Sequence, residues 1–476
     1  MVHLALALGV FALQASAKVP STFEPHALAS IPEGIELVGP PIVDPDGVEQ
    51  ENRSTVVWSP DGSHAAYVGF KGQATHPVLD DAVGEAWTYL SAPVFDWSGE
   101  HVAFRAGRRT APQEESWGVL VDGVDGERLG VCAWIGEVAF SPDGEELVWW
   151  EQPGARLALG GFYTRSVQRL VRAKRSKDEW KLSRGKEWDD VQSLERPRFA
   201  ADGETVVAIV QRTDGWLVLG AGARRERELT KKLPWIQAFD CDARGKRVAL
   251  AYRDDRKGFE LPDLTDPAAL TAGSLVKLTI HVGKEVFGDE AESASCPSFD
   301  PLGKRLAYKI LFGGKMDVSV EGLGANARFD HVCAPRWSPD GRELAYVAVD
   351  GPTESSEWLR MSPVADWQGK GGRWTGQGRA ADPKESSKQL GPAALEIRDL
   401  VWNDDGERLA WRARGEDGWR IVAVTLPGMQ VTTGEVADEV GPPRFSADGR
   451  KLAHGARRGR EPAWRALELS ESAGRR

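Results

Sequence analysis

Trp337-Ser338-Pro339-Asp340-Gly341-Arg342-Glu343-Leu344-Ala345-Tyr346 is the stretch whose reading decides the fold. Pro339 fixes φ, Asp340 bonds to nearby backbone and Gly341 accepts a positive φ, so Pro-Asp-Gly is a tight turn. Leu344 and Tyr346 stand two apart, the period of a strand and not of a helix. The ten residues read as a hairpin of two buried strands. The same pattern recurs at Trp58-Ser59-Pro60-Asp61-Gly62 and at Phe140-Ser141-Pro142-Asp143-Gly144. Softer copies end at Gly99, Gly203, Gly303, Gly406 and Gly449, and a distorted ninth ends at Gly245.

The copies align in columns. Four residues before the glycine, eight of the nine carry an aromatic: Trp58, Phe95, Phe140, Phe199, Phe299, Trp337, Trp402 and Phe445. Three residues after it all nine are apolar, from Ala65 and Val102 to Leu452. The glycines are spaced by 37 to 65 residues, with a mean near 48. That spacing leaves room for two more strands per unit, with residues 115–121 and 418–424 as third strands. Four-stranded units repeated at this period are propeller blades. The predicted fold is all-β: one closed ring of nine four-stranded blades, or eight if the Gly245 copy forms none. Residues 55–468 make the ring, and residues 18–54 precede it. Residues 35–43 are expected to supply the strand that closes it. Insertions are expected at 153–195, 254–273 and 350–394, and a tail at 469–476.

From about residue 31 the chain resembles the TolB-type, WD-repeat-like β-propeller family. The resemblance rests on the aromatic-Ser-Pro-Asp-Gly hairpin followed by Leu344-Ala345-Tyr346, repeated in tandem. It implies a fold and little about function, because this scaffold hosts many roles. Residues 18–54 are too few for the α/β domain that precedes the propeller in TolB itself.

Composition narrows the function classes. The chain has 476 residues, 60 basic and 71 acidic side chains, and a net charge of −11. That balance argues against general nucleic-acid binding, which needs cations to neutralise phosphates. Four cysteines are too few for a disulfide scaffold or a zinc ribbon. Residues 4–13, LALALGVFAL, precede Ala15-Ser16-Ala17. This predicts a signal peptide over 1–17 and export to the periplasm or beyond, although Met1-Val2-His3 lacks a basic residue. The alternative is a short buried N-terminal helix. No later stretch reaches the length of a transmembrane helix.

The search for chemistry is mostly negative. No serine stands in a Gly-x-Ser-x-Gly elbow, so an α/β-hydrolase domain is not expected. Asp240-Cys241-Asp242-Ala243-Arg244-Gly245 imitates the start of a calcium loop. Arg244 at a ligand position and Ala251 at the last one favour a widened hairpin turn. His64 and His101 both follow a turn glycine by two residues and read as exposed strand positions rather than metal ligands. Cys296 and Cys333 precede neighbouring first strands; a disulfide between them is one option, and small buried hydrophobes the other. No metal or cofactor is expected.

Two segments are candidate partner sites. Residues 165–186 hold nine basic residues, among them Arg172, Lys174 and Arg175. Such a run could meet an acidic surface or simply be a solvated insertion. Residues 350–394 are Gly-, Ser- and Lys-rich, yet carry Trp358, Trp367, Arg373 and Trp374. Trp358 is read as part of a third strand, with Trp367 and Trp374 in a recognition loop or folded back onto the ring. The leading functional expectation is a monomeric, non-enzymatic scaffold that binds a protein or peptide. The alternatives are an enzyme whose site is scattered over several blades at a channel mouth, and a carbohydrate- or small-ligand-binding propeller suggested by 19 tryptophans.

Overall fold

The computed structural model describes residues 26–27, 30–43, 49–111, 114–122, 128–153, 167–177, 179–189, 191–194, 197–200, 202–212, 214–222, 226–233, 236–252, 279–288, 291–320, 329–349, 357–363, 388–426, 428–446 and 449–469. Among these there is no helix. Among the described residues nine small antiparallel sheets are the blades, in sequence order: blade 1 (57–83), blade 2 (89–132), blade 3 (134–188), blade 4 (191–228), blade 5 (236–287), blade 6 (293–320), blade 7 (331–394), blade 8 (396–433) and blade 9 (439–468). The copy at Gly245 builds its own blade. Most blades carry four strand positions, with the innermost often split in two. In blade 6 the outer edge is reduced to the bridge Met316↔Phe329.

The repeated turn explains why each blade forms. All nine turn glycines have positive φ, between 59° and 84°, where a side chain would be strained. In the best copies the serine hydroxyl donates to the aspartate two residues on and accepts the amide five residues on. The distances are 2.6 and 2.9 Å for Ser59 with Asp61 and His64, and 2.7 and 2.9 Å for Ser338 with Asp340 and Glu343. In softer copies another group takes over the amide: Asp96 Oδ1 accepts from His101, and Asn403 Oδ1 from Arg408. The turn survives loss of its consensus serine because only an acceptor is needed there.

Closure is visible in the core. Nine hydrophobic clusters each straddle two consecutive blades, and the ninth joins Trp58 and Tyr67 of blade 1 to Ala453 and Trp464 of blade 9. The column aromatics fill these joints, which is why the repeat keeps them. Arginine clips add to the packing. Arg247, Arg305 and Arg408 each stand two residues after a turn glycine and donate to the carbonyl of the next turn glycine, Gly303, Gly341 and Gly449. Arg247 also lies over Phe299 and Arg305 over Trp337, at 5.1 and 5.2 Å.

The closing strand differs from the expected one. His26–Ala27 adds to the outer edge of blade 9, with His26 opposite Trp464 and Ala27 opposite Ala463. Within the span 35–43, Glu36 instead bridges Phe70 of blade 1, and Val38–Val43 pairs with Glu49–Arg53 in a separate hairpin. Ile31 and Ile35 are buried in the joint between blades 9 and 1. Arg460 fastens this stretch by donating to the carbonyls of Ile31, Pro32 and Ile35 at 3.0, 2.6 and 2.9 Å. A short apolar run marks burial, and sequence alone does not say which of two adjacent blades receives it.

Blade strands also occupy spans read as insertions. Gln168–Ser176 and Glu179–Trp188 are the third and fourth strands of blade 3. Glu357–Pro363 and Lys388–Ala394 are those of blade 7, so Trp358 lies on a third strand.

Candidate functional site

Each blade runs outward from an innermost strand, so the first strands of the nine blades surround the axis. On those strands the residue just before the column aromatic points to the opposite face of the sheet. Around the ring this position is Val57, Val94, Ala139, Arg198, Asp240, Ser298, Arg336, Val401 and Arg444. Blades 1–3 present apolar groups there. Blades 4–7 present Arg, Asp, Ser and Arg. Blade 9 adds another arginine. The column is thus apolar over blades 1–3 and at blade 8, and polar or charged over blades 4–7 and at blade 9.

The charged sector is held by named contacts. Asp240 Oδ2 accepts the amide of Phe299 in blade 6 at 2.8 Å. Arg198 of blade 4 lies over the Phe239 ring of blade 5 at 5.3 Å. Burial pushes the Asp240 carboxyl up to about 6, against the pull of the Phe299 and Cys241 amides and of Arg198 and Arg336. Burial likewise pulls Arg336 down to about 10, with Asp240 and Asp399 opposing the shift. Arg444 also falls to about 10 through burial, with Asp61 opposing it, and its guanidinium lies over Trp97 of blade 2 at 5.6 Å. Arg336 and Arg444 stay charged at neutral pH.

The electrostatic chain continues into blades 8 and 9. Asp399 sits at positive φ in the bulged inner strand Glu396–Trp402 and pairs with Arg412, which donates to the carbonyl of Val440 at 2.6 Å. Glu439 pairs with Arg457 at 3.1 Å and accepts the amide of Val56 at 3.1 Å. Burial raises the Glu439 carboxyl, and Arg457 opposes it. These last groups are spent on one another and on backbone.

The residues singled out in the sequence fall elsewhere. Arg172 is half-buried between blades 3 and 4. It pairs with Glu146, donates to the carbonyl of Glu204 at 3.0 Å and lies over Phe199. Arg175 reaches Nε2 of His101 in blade 2. Lys174 is exposed and stands opposite Lys181 in the outer hairpin. Two of the three basic candidates are thus joints between blades. Trp367, Arg373 and Trp374 lie outside the described residues. His101 is buried rather than exposed, with Nδ1 2.9 Å from Asp122; His64 makes the same pair with Asp80 at 2.7 Å. Donation of a hydrogen bond to Asp122 raises the His101 pKa against the cost of burial. All four cysteines are free. Burial pushes the Cys132 thiol up to about 12 and the Cys241 thiol higher. Asp242 accepts the Lys246 amide at 2.7 Å in an ordinary hairpin turn, while Asp240 accepts the Phe299 amide of blade 6. Arg198, Asp240, Arg336 and Arg444 were not singled out. The column before the aromatic carries that signal once the nine copies are aligned.

In fold the chain is a TolB-like, WD-like β-propeller. No family model matches it. Over 197 residues it is 26% identical to the uncharacterized peptidase YuxL of Bacillus subtilis (strain 168), covering 34% of this chain and 29% of that one. The chain therefore spans under a third of that relative's length. Among solved structures it is similar to TolB from Acinetobacter baumannii at 12% identity and TM-score 0.31, over 78% of this chain and 81% of that one. It is similar to an oligogalacturonate lyase in complex with manganese at 12% identity and TM-score 0.38, over 88% and 96%. It is also similar to the acylaminoacyl peptidase of Pyrococcus horikoshii at 14% identity and TM-score 0.36, over 74% and 56%. The relative named a peptidase overturns the expectation that the chain is not an enzyme. Among the described residues no helix is long and apolar enough to cross a membrane.

Proposed function

We propose that this chain is a peptide-handling propeller that receives a polypeptide segment in its central channel. The observation that carries the reading is the divided wall: Val57, Val94 and Ala139 on one side, Arg198, Asp240, Ser298 and Arg336 on the other. A peptide has apolar side chains and a polar, partly charged backbone end, and such a wall can serve both. A closed ring also fixes these groups on strands rather than on mobile loops. The relative named a peptidase favours a second reading, in which the bound peptide is also cleaved. Export, read from residues 4–17, and a recognition role for the segment bearing Trp367, Arg373 and Trp374 belong to the same proposal.

The test is site-specific photocrosslinking with a defined set of synthetic peptides. A photoreactive residue is placed at Val57 on an inner strand or at Lys181 on an exposed outer strand. Adducts at position 57 and none at 181 are expected. Adducts confined to 181, or equal at both, would reject the channel. Mass spectrometry of the same peptides after incubation reads cleavage directly.

A further inference from the structure

We infer that the turn-side mouth of the channel binds a peptide C-terminus ending in an apolar residue, with Arg444 taking the carboxylate beside the ring of Trp97. This names the segment that the proposed channel receives, and rests on that reading for the source of the carboxylate. Trp97 is out of place as a turn residue. In the other eight copies of the repeat its slot holds proline, alanine or aspartate. Among the described residues it belongs to none of the nine apolar clusters, so no joint between blades calls for it. Its ring instead meets the Arg444 guanidinium at 5.6 Å. Trp97 lies in the turn of blade 2, and Arg444 on the inner strand Arg444–Phe445 that leads into the turn of blade 9. The contact therefore passes blade 1 and lies at the turn-side mouth.

Arg444 is half-buried, and among the described residues no oxygen accepts a hydrogen bond from its guanidinium. Three carboxylates of blades 9, 1 and 2 are committed elsewhere. Asp61 accepts from the hydroxyls of Ser59 and Ser63, each at 2.6 Å, and from the Ser63 amide at 3.1 Å. Asp96 accepts from the Ser98 hydroxyl and from the amides of Gly99 and His101 at 2.9 and 3.0 Å. Glu439 holds Arg457 and the Val56 amide. A guanidinium offers its donors in a planar fork that fits a carboxylate, and that fork is unspent at Arg444. The apolar half of the site comes from the same column. Val401 of blade 8, Val57 of blade 1 and Val94 of blade 2 hold the position of Arg444 in the flanking blades, each half-buried. Blades 9 and 1 touch here: Val56 donates its amide to Glu439 at 3.1 Å, and a Cβ on Gly441 would overlap the Trp58 ring. Blades 1 and 2 touch as well, since a Cβ on Gly99 would fall on Asp61. One cation set among valines suits a group that joins a carboxylate to an aliphatic side chain. A peptide C-terminus carries both on one residue.

The experiment is calorimetry on the full chain with three tetrapeptides and free isocaproate. The peptides are one ending in leucine with a free carboxylate, its C-terminal amide, and the free acid ending in glycine. The leucine acid is expected to bind about tenfold tighter than its amide and about tenfold tighter than the glycine acid, from one charge-assisted contact and one buried aliphatic side chain. Arg444→Gln should remove the difference between acid and amide. Arg444→Lys keeps the charge without the planar fork and should retain part of it. Trp97→Pro installs the turn residue of Pro60 and Pro142, and should weaken the leucine acid several-fold by removing the ring beside the guanidinium. Variants are compared where circular dichroism and melting match the parent, and the proline variant keeps the test open if an Arg444 variant does not fold. If acid and amide bind the parent alike, or Arg444→Gln leaves their difference intact, the carboxylate site is wrong while the peptide reading survives. Equal binding of the leucine and glycine acids overturns the apolar terminus. If no peptide binds but isocaproate does, and needs Arg444, the site stands and the peptide reading falls. Absence of binding by every probe overturns both.

Discussion

At the residue scale, one column of the repeat shows how a fold tolerates an exception. Five residues after the turn glycine most copies place a large ring: Tyr67, Phe104, Trp149, Tyr308, Tyr346 and Trp411, all fully buried. In blade 9 the slot holds His454, which is 4% exposed and has no partner for Nδ1. Burial, aided by Arg465 opposite it in the strand pair, lowers its pKa to about 4. An unfolded histidine takes up a proton below about 6.5, whereas this one resists until about 4. The folded state therefore binds fewer protons across that window, and stability falls as pH drops from 6.5 towards 4. Two to three pKa units correspond to about 3 kcal/mol. His454→Phe copies the Phe104 arrangement and should remove this loss. Urea unfolding of parent and variant at pH 7 and 4.5 checks it: the variant's advantage should grow by a few kcal/mol on the acid side. A constant difference would contradict the neutral buried histidine. The clips at Arg247, Arg305 and Arg408 were likewise unread in the sequence, because a charged residue on an alternating strand ordinarily marks solvent.

At the element scale, the closure between blades 9 and 1 is the most individual joint. The strand Lys451–Arg458 is the second of blade 9, and Gly455 lies on it opposite Trp464. The Trp58 indole of blade 1 rests directly over Gly455, so a Cβ there would overlap the ring. Trp464 in turn lies where a Cβ on Gly62 would fall, and Gly62 also needs its φ of 79°. The two glycines and two tryptophans interlock across the seam. Gly455→Ala forces Trp58 out of this position and should cost about 1–3 kcal/mol as an overpacked core. Thermal melting reads it as a lower midpoint. An unchanged midpoint would show that the seam has slack. This pairing is not legible from residue order, since residues 58 and 455 are brought together only by the ring.

At the scale of the whole molecule, nine joints of one kind leave no free end. In an open repeat array stability is a sum of local terms and ends can fray. A closed ring has no terminal unit, so weakening any joint should lower one shared transition. Trp149 fills the joint of blades 2 and 3, and Trp411 that of blades 7 and 8; both are fully buried. Each Trp→Ala change should cost about 3–5 kcal/mol. Circular dichroism and tryptophan fluorescence should still report one coincident transition at a lower midpoint. Separate transitions would mean that the ring melts in sectors.

The sequence by itself determined the blade and left the number of its copies at nine or eight, until the structure gave the Gly245 copy a blade of its own. Turn chemistry and strand period are local, so Pro-Asp-Gly with apolar residues two apart suffices to specify each hairpin. Its regular recurrence determined the ring. Tertiary structure decided which strand closes blade 9, because any apolar edge segment satisfies an open sheet and only three-dimensional reach selects His26–Ala27. It also decided that Arg172 and Arg175 are joints, since their partners Glu204 and His101 belong to other blades. The channel wall is the same kind of fact. Arg198, Asp240 and Arg336 follow one another at separations of 42 and 96 residues in the chain, and curvature of the ring, not spacing, sets them at one level around the axis.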